Sequence, residues 1–357
     1  MSGKPSPSSR PNLAPTGTLR PPSDPAQRGR RAILGPLAWH RPLLGMTLAM
    51  AVLVVVCLVG LMVDPRTLTG APLWAKPLKF SISVLVYAIT LSWLLPFLRR
   101  RRLAWWIGTV AIAALAIEMV IIVGAAWVGV TSHFNVSTPL ASTLWSVMAF
   151  SIVVVWLATL LVAVLLIRAD LGDPARSLGI RAGALIAVAG MGLAFLMTGP
   201  TAAQLDSFQG IAGAHTIGVP DGGPGLPLLG WSTVAGDLRI PHFVGMHALQ
   251  AIPLIVVLLE VLARRVDLLR EATVRLGLVW IVVAAYLSML ALLTGQAIAG
   301  QSIVRPDAVV AGTAIALLVA ASLGVVGVFW AGCRRGPSSS AFPVEQAGPR
   351  GDSSGNS

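Results

Sequence analysis

Of the 357 residues, 55% are hydrophobic and only 11% are charged, well under half the charged share of an ordinary soluble domain. Apolar runs of about 20 residues recur along the chain, long enough to cross hydrocarbon as helices, whereas a membrane β-barrel would show short alternating segments. The formal net charge of +12 invites a nucleic-acid reading, which the placement of charge excludes: Lys and Arg sit at the ends of apolar runs, where they orient membrane helices.

Residues 1–40 are rich in Pro, Ser and Arg without apolar periodicity and read as a disordered basic cytoplasmic tail. The run Leu43–Val63 that follows is too long for the apolar part of a signal peptide and has no small-residue cleavage site after it. Trp39, His40 and Arg41 precede it and read as interfacial residues.

About eight spans are expected, at 43–63, 78–98, 103–130, 141–167, 182–200, 241–263, 276–298 and 308–332. With the N-terminus inside, only Arg66, Lys76, Lys79, Arg239 and Arg305 of the 26 Lys and Arg residues fall on the outer side. The positive-inside rule therefore predicts an all-α, polytopic bundle at 41–333 with both termini cytoplasmic, followed by a second disordered tail at 334–357. The setting this implies is the plasma or inner membrane, with the lipid bilayer as partner. Ala-, Val-, Gly- and Arg-rich composition suggests a bacterial source.

Lys76 and Lys79 flank Pro77 at the start of the second span. They read either as side chains snorkelling to outer headgroups or as a clamp for an anionic lipid, quinone or substrate. Glu118 lies in the apolar middle of the third span, roughly 18 Å from its outer end, and Thr138-Pro139 reads as the cap and first position of the fourth. The link 201–240 is far longer than ordinary helix connections. It mixes Gly and Pro with Ile, Leu and Trp, so it reads as an ordered extracytoplasmic cap.

The stretch GDLRIPHFVGMHALQAIP at 236–253 is the most unusual in the chain. It opens a membrane helix with His242, His247 and Gln250, and Asp237 can pair with Arg239. Ionisable groups at such positions are costly and point to function. His242 and His247 stand about 140° apart on a regular helix, so they serve different partners, and Pro253 should kink the helix. His133, His215, His242 and His247 all fall at the outer face. If the third and sixth spans are neighbours, His133, His242, His247, Gln250 and Glu118 form a descending polar ladder. Imidazoles in this layer could ligate haem or copper, with His133, His242 and His247 as the metal set and His215 closing over it. The alternative is a proton-coupled permease that uses Glu118 and the ladder; a further alternative is a structural membrane protein with no catalytic role.

Cys57 and Cys333 have no metal-site or disulfide-framework spacing. Glu260 has Arg264 at i+4 and reads as a local ion pair. Gly312, Ala316, Ala320 and Gly324 repeat every four residues on the last span, a pattern that allows close helix approach within the bundle or between copies.

The strings KPLKFSISV, TSHFN, GAHTIGVPDGGPGLPLLGWS and GDLRIPHFVGMHALQ resemble a family of uncharacterised bacterial multi-span membrane proteins, over most of the chain between the tails. The resemblance implies a membrane bundle and carries no activity. A looser likeness of style is to membrane haem b proteins, but the paired-histidine spacing of their helices is absent.

Overall fold

The computed structural model describes residues 39–335; the tails expected at 1–40 and 334–357 fall almost wholly outside the described residues. The long helices are α1 (Arg41–Val63), α2 (Ala75–Leu94, continued by a 3-10 turn to Phe97), α3 (Arg101–Val128), α4 (Pro139–Ile167) and α5 (Pro174–Gly192, with a 3-10 turn to Met197). After the short α6 (Ala202–Asp206) come α7 (Arg239–Met246), α8 (Ala248–Leu262), α9 (Ala272–Ile298) and α10 (Ala308–Arg335). Seven of the described helices are long and apolar enough to cross a membrane, and α7 with α8, bent by 42°, make an eighth when counted as one span. The chain is an all-α, multi-pass membrane bundle.

Helix ends follow local chemistry. Thr138 accepts from the Ala141 N–H at 3.1 Å with Pro139 in the first turn, and Asp173 caps α5 ahead of Pro174. Gly129, at φ 81°, closes α3 in the left-handed conformation that favours glycine.

Helices α1 to α4 share one core, with Leu43, Leu91, Ile122, Met148 and Leu166 buried in it. A second core joins α5, α8 and α9 through Ile252, Val256, Val279 and Val283. Helix α5 carries residues of both, and Leu249 of α8 also reaches the first. Helix α10 packs on α9 and leaves Val309, Leu318 and Leu323 exposed, as a lipid-facing helix does. Of its small-residue stripe, Gly324 packs against Ile281 of α9, whereas Gly312 has no neighbour within 4 Å of an added Cβ.

The break between α7 and α8 falls at His247, not at Pro253, which lies inside α8. Close approach of backbones accounts for the position. A Cβ on Gly190 of α5 would lie 2.2 Å from the Gly245 carbonyl carbon, and one on Gly183 would lie 2.8 Å from the Ala248 carbonyl oxygen. The chain bends between these two contact points. Gln250, three residues after His247, lies beside it.

At the basic end of the bundle, Glu260 pairs with Arg176 through bonds of 2.7 and 2.8 Å, not with Arg264; the α5–α8 contact supplies a partner that sequence spacing does not show. His40, expected at the interface, is fully buried, caps α1 and lies 2.9 Å from the Trp105 carbonyl.

Candidate functional site

The opposite end is built by loops. Strands β1 (Thr67–Leu68) and β2 (Ala71–Pro72) form a hairpin before α2. Within 201–240, α6 begins with a Thr201–Gln204 capping box, and β3 (Thr216–Ile217) pairs with β4 (Gly236–Asp237). The segment thus carries local secondary structure of its own. Asp237, 1% exposed, anchors it: its carboxylate accepts from the Ser232 N–H at 2.8 Å, the Arg239 N–H at 3.0 Å and the Arg239 Nε–H at 2.9 Å. Arg239 also donates to the Gly230 carbonyl. The expected Asp237–Arg239 pair therefore fastens the loop to the start of α7.

Between the hairpin, the first turns of α2, the end of α3 and the 201–240 loop lies a cavity of about 910 Å³, within the size range of small-molecule sites. Lys76, Lys79, His133, His215, Asp221 and Arg239 line it. Lys76 and Lys79 are three residues apart and share one face of α2. They turn inward to protein partners: Lys79 Nζ donates to the Leu229 carbonyl at 2.8 Å, and Lys76 Nζ donates to His133 Nδ1 at 3.1 Å. The Ser132 hydroxyl oxygen is also 3.1 Å from that nitrogen.

With Nδ1 accepting, His133 carries its proton on Nε2, which lies 3.8 Å from Glu118 Oε1. Glu118 is 4% exposed, and its Oε2 has no hydrogen-bond partner among the described residues. A chain of groups thus runs from the cavity through Lys76 and His133 to a carboxyl in the span. Burial first, then Lys76 and His215, hold His133 well below the ordinary histidine range.

Phe134 fixes this corner. It is 5% exposed and adopts φ 63°, an unfavourable region for a bulky residue that persists only where the surroundings impose it. Its ring meets Trp145 at 5.1 Å and His215 at 4.9 Å. Its carbonyl accepts from the Ala212 N–H, and Asn135 bridges to Ile211, so the two loops pair locally. His215 in turn donates from Nδ1 to Asp221 at 2.5 Å. The backbone N–H groups of His215 and Thr216 hold the same carboxylate at 3.1 Å. These donors keep Asp221 below the usual carboxylate range against its burial, whereas burial, the larger influence on His215, lowers that histidine despite Asp221.

The ladder expected from the sequence is divided. Helix α3 packs on α1, α2 and α4, and α7–α8 packs on α5 and α9. His242 Nδ1 donates to the Gly190 carbonyl at 2.9 Å, and His247 Nδ1 lies 3.2 Å from Gln250 Oε1. His133 and Glu118 therefore meet, joined by Lys76, while His242, His247 and Gln250 form a separate group packed toward α5. Among the described residues, no three His, Cys, Asp or Glu side chains converge as a metal-holding group; the set His133, His242, His247 is not assembled, and His215 faces Asp221. No three-residue metal set therefore emerges from these positions among the described residues.

The pairing of Asp221 and the corner position of Phe134 are the features of this region that sequence reading misses. The pairing of Asp221 with His215 depends on the path of a Gly- and Pro-rich loop, and the left-handed conformation of Phe134 has no sequence signal. Comparison with family models, with curated proteins and with solved structures gives no significant match for this chain.

Proposed function

We propose that this membrane protein binds a small organic anion in the loop-end cavity and exchanges a proton with it through Lys76, His133 and Glu118, the chemistry of a proton-coupled permease. The observation that carries the reading is the contact sequence Lys76 Nζ to His133 Nδ1 at 3.1 Å and His133 Nε2 to Glu118 Oε1 at 3.8 Å. An imidazole with a donor on one nitrogen and an acid at the other can take a proton at the first and release one at the second. Closing the last gap to an ordinary hydrogen bond of about 2.9 Å needs a shift of under about 1 Å. The unpartnered Glu118 Oε2 suits a carboxyl that changes protonation. Carboxyl and imidazole chains inside membrane proteins mark proton paths.

The anion reading rests on Lys76 and Lys79, which share one helix face and line the cavity. Asp237 occupies Arg239 and Asp221 occupies His215, whereas the recorded partners of Lys79 and Lys76 are a carbonyl and an imidazole, both uncharged acceptors. The clustering of Arg and Lys at the other end supports an extracytoplasmic position for the cavity in a cell membrane. Calorimetric titration of the full chain in detergent with succinate and with inorganic phosphate tests this. Saturable binding of at least one is expected, weakened about tenfold or more by Lys79→Gln, the scale of one lost charged hydrogen bond. No saturable binding, or binding indifferent to both Lys76→Gln and Lys79→Gln, would overturn it.

A further inference from the structure

The dyad of His215 and Asp221 lies in the cavity outside the Lys76–His133–Glu118 chain. Three N–H donors fix the Asp221 carboxylate, one of them His215 Nδ1. That bond sets the tautomer: the proton is on Nδ1, and Nε2 is left with a lone pair. Nε2 makes no hydrogen bond among the described residues, and His215, with a side chain 22% exposed, lines the cavity. Burial lowers the affinity of this imidazole for a second proton, so at neutral pH Nε2 stays an acceptor.

The site therefore presents two kinds of group to one ligand. Lys76 and Lys79 suit an anionic group, and His215 Nε2 accepts from a hydrogen-bond donor. Lys76 and Lys79 disfavour an ammonium donor there, and among neutral donors the hydroxyl is the one small organic anions most often carry. A hydroxyl is selected at such an acceptor because a ligand that displaces its water without supplying an O–H leaves the acceptor without a partner.

We propose that the ligand of this cavity is a hydroxyl-bearing organic anion, a hydroxycarboxylate or a polyol phosphate, whose anionic group lies on Lys76 and Lys79 and whose O–H donates to His215 Nε2. The proposal rests on the anion reading above and narrows it.

The test compares pairs that differ by one hydroxyl: malate with succinate, and glycerol 3-phosphate with propyl phosphate, titrated calorimetrically into the full-length protein. In the wild-type protein, the hydroxylated member of at least one pair should bind about tenfold or more tightly; the pair that discriminates names the acid. The methyl ether of malate, which keeps the oxygen but not the donor, should bind like succinate or more weakly. In His215→Ala the preference should disappear, while Lys79→Gln should weaken both members of the pair alike. Equal binding within both pairs overturns this proposal and leaves anion binding standing. A hydroxyl preference that survives His215→Ala in folded protein, or a methyl ether that binds as well as malate, also overturns it. Failure of all four anions to bind removes the anion reading and this proposal together. The wild-type comparison involves no substitution, so it stands even if His215→Ala fails to fold.

Discussion

His133 uses both ring nitrogens, one toward Lys76 and one toward Glu118, and this fixes how the protein should respond to acid. An unfolded histidine takes up its proton near pH 6.5. Folded His133 does so only at lower pH, because burial and the neighbouring Lys76 oppose a second positive charge; His215 behaves in the same direction. Below about pH 6.5 the unfolded chain thus binds more protons than the folded one, and stability falls as pH falls. Thermal melts in detergent should show Tm declining from pH 7.5 to 5.5. His133→Gln should flatten that decline while lowering Tm at pH 7.5; an unchanged slope would place the acid sensitivity elsewhere. At this scale the sequence reveals partners that are close along the chain. Asp237 and Arg239, two residues apart, are legible, as is Thr138 capping its own helix. Arg176–Glu260, 84 residues apart, and Lys76–His133, 57 apart, depend on which helices are neighbours. Spacing alone favours Arg264 for Glu260 and headgroups for Lys76.

The elements were more legible than their angles. Apolar runs and terminal charges locate each span to within a few residues, except that α5 begins at Pro174, eight residues before the expected 182. Its first two turns carry Arg176 and Arg181, which lower the apolarity of the window although Arg181 is held by the Leu166 and Ala169 carbonyls. The bend at His247 is set by a contact between two helices and so escapes a single-helix reading that looks only to Pro253. That contact predicts a sharp contrast between glycines. Gly190→Ala places a methyl against the Gly245 backbone, which cannot move aside as a flexible side chain would. The substitution should cost about 3 kcal/mol or more. Gly312→Ala on the open face of α10 should be neutral or stabilising by up to about 1 kcal/mol. Equal effects on chemical denaturation would rule out the close crossing of α5 and α7.

At the scale of the whole molecule, α5 packs on α4 and on α7, α8 and α9, and the polar groups follow the helices that carry them. The part built from α1 to α4 brings Lys76, His133 and Glu118 together; His242, His247 and Gln250 belong to the part built on α5, α7, α8 and α9. The sequence places all four histidines in one layer because depth follows from residue count, but position around the bundle does not, and the haem or copper set depended on that missing coordinate. The local structure of 201–240, by contrast, was legible because Ile, Leu and Trp among its glycines gave it apolar surface to bury. The central claim is that the anion in the cavity and the carboxyl of Glu118 share a proton. It is tested most directly by counting protons. Calorimetric titration of the full chain with whichever of malate and glycerol 3-phosphate binds, repeated in buffers of different ionisation enthalpy, gives the number of protons taken up or released on binding. The wild-type protein should exchange a measurable fraction of a proton, up to about one per ligand by linkage to a single titrating path. Glu118→Gln should bind the same ligand with exchange near zero. The same proton number in wild type and Glu118→Gln would contradict the account.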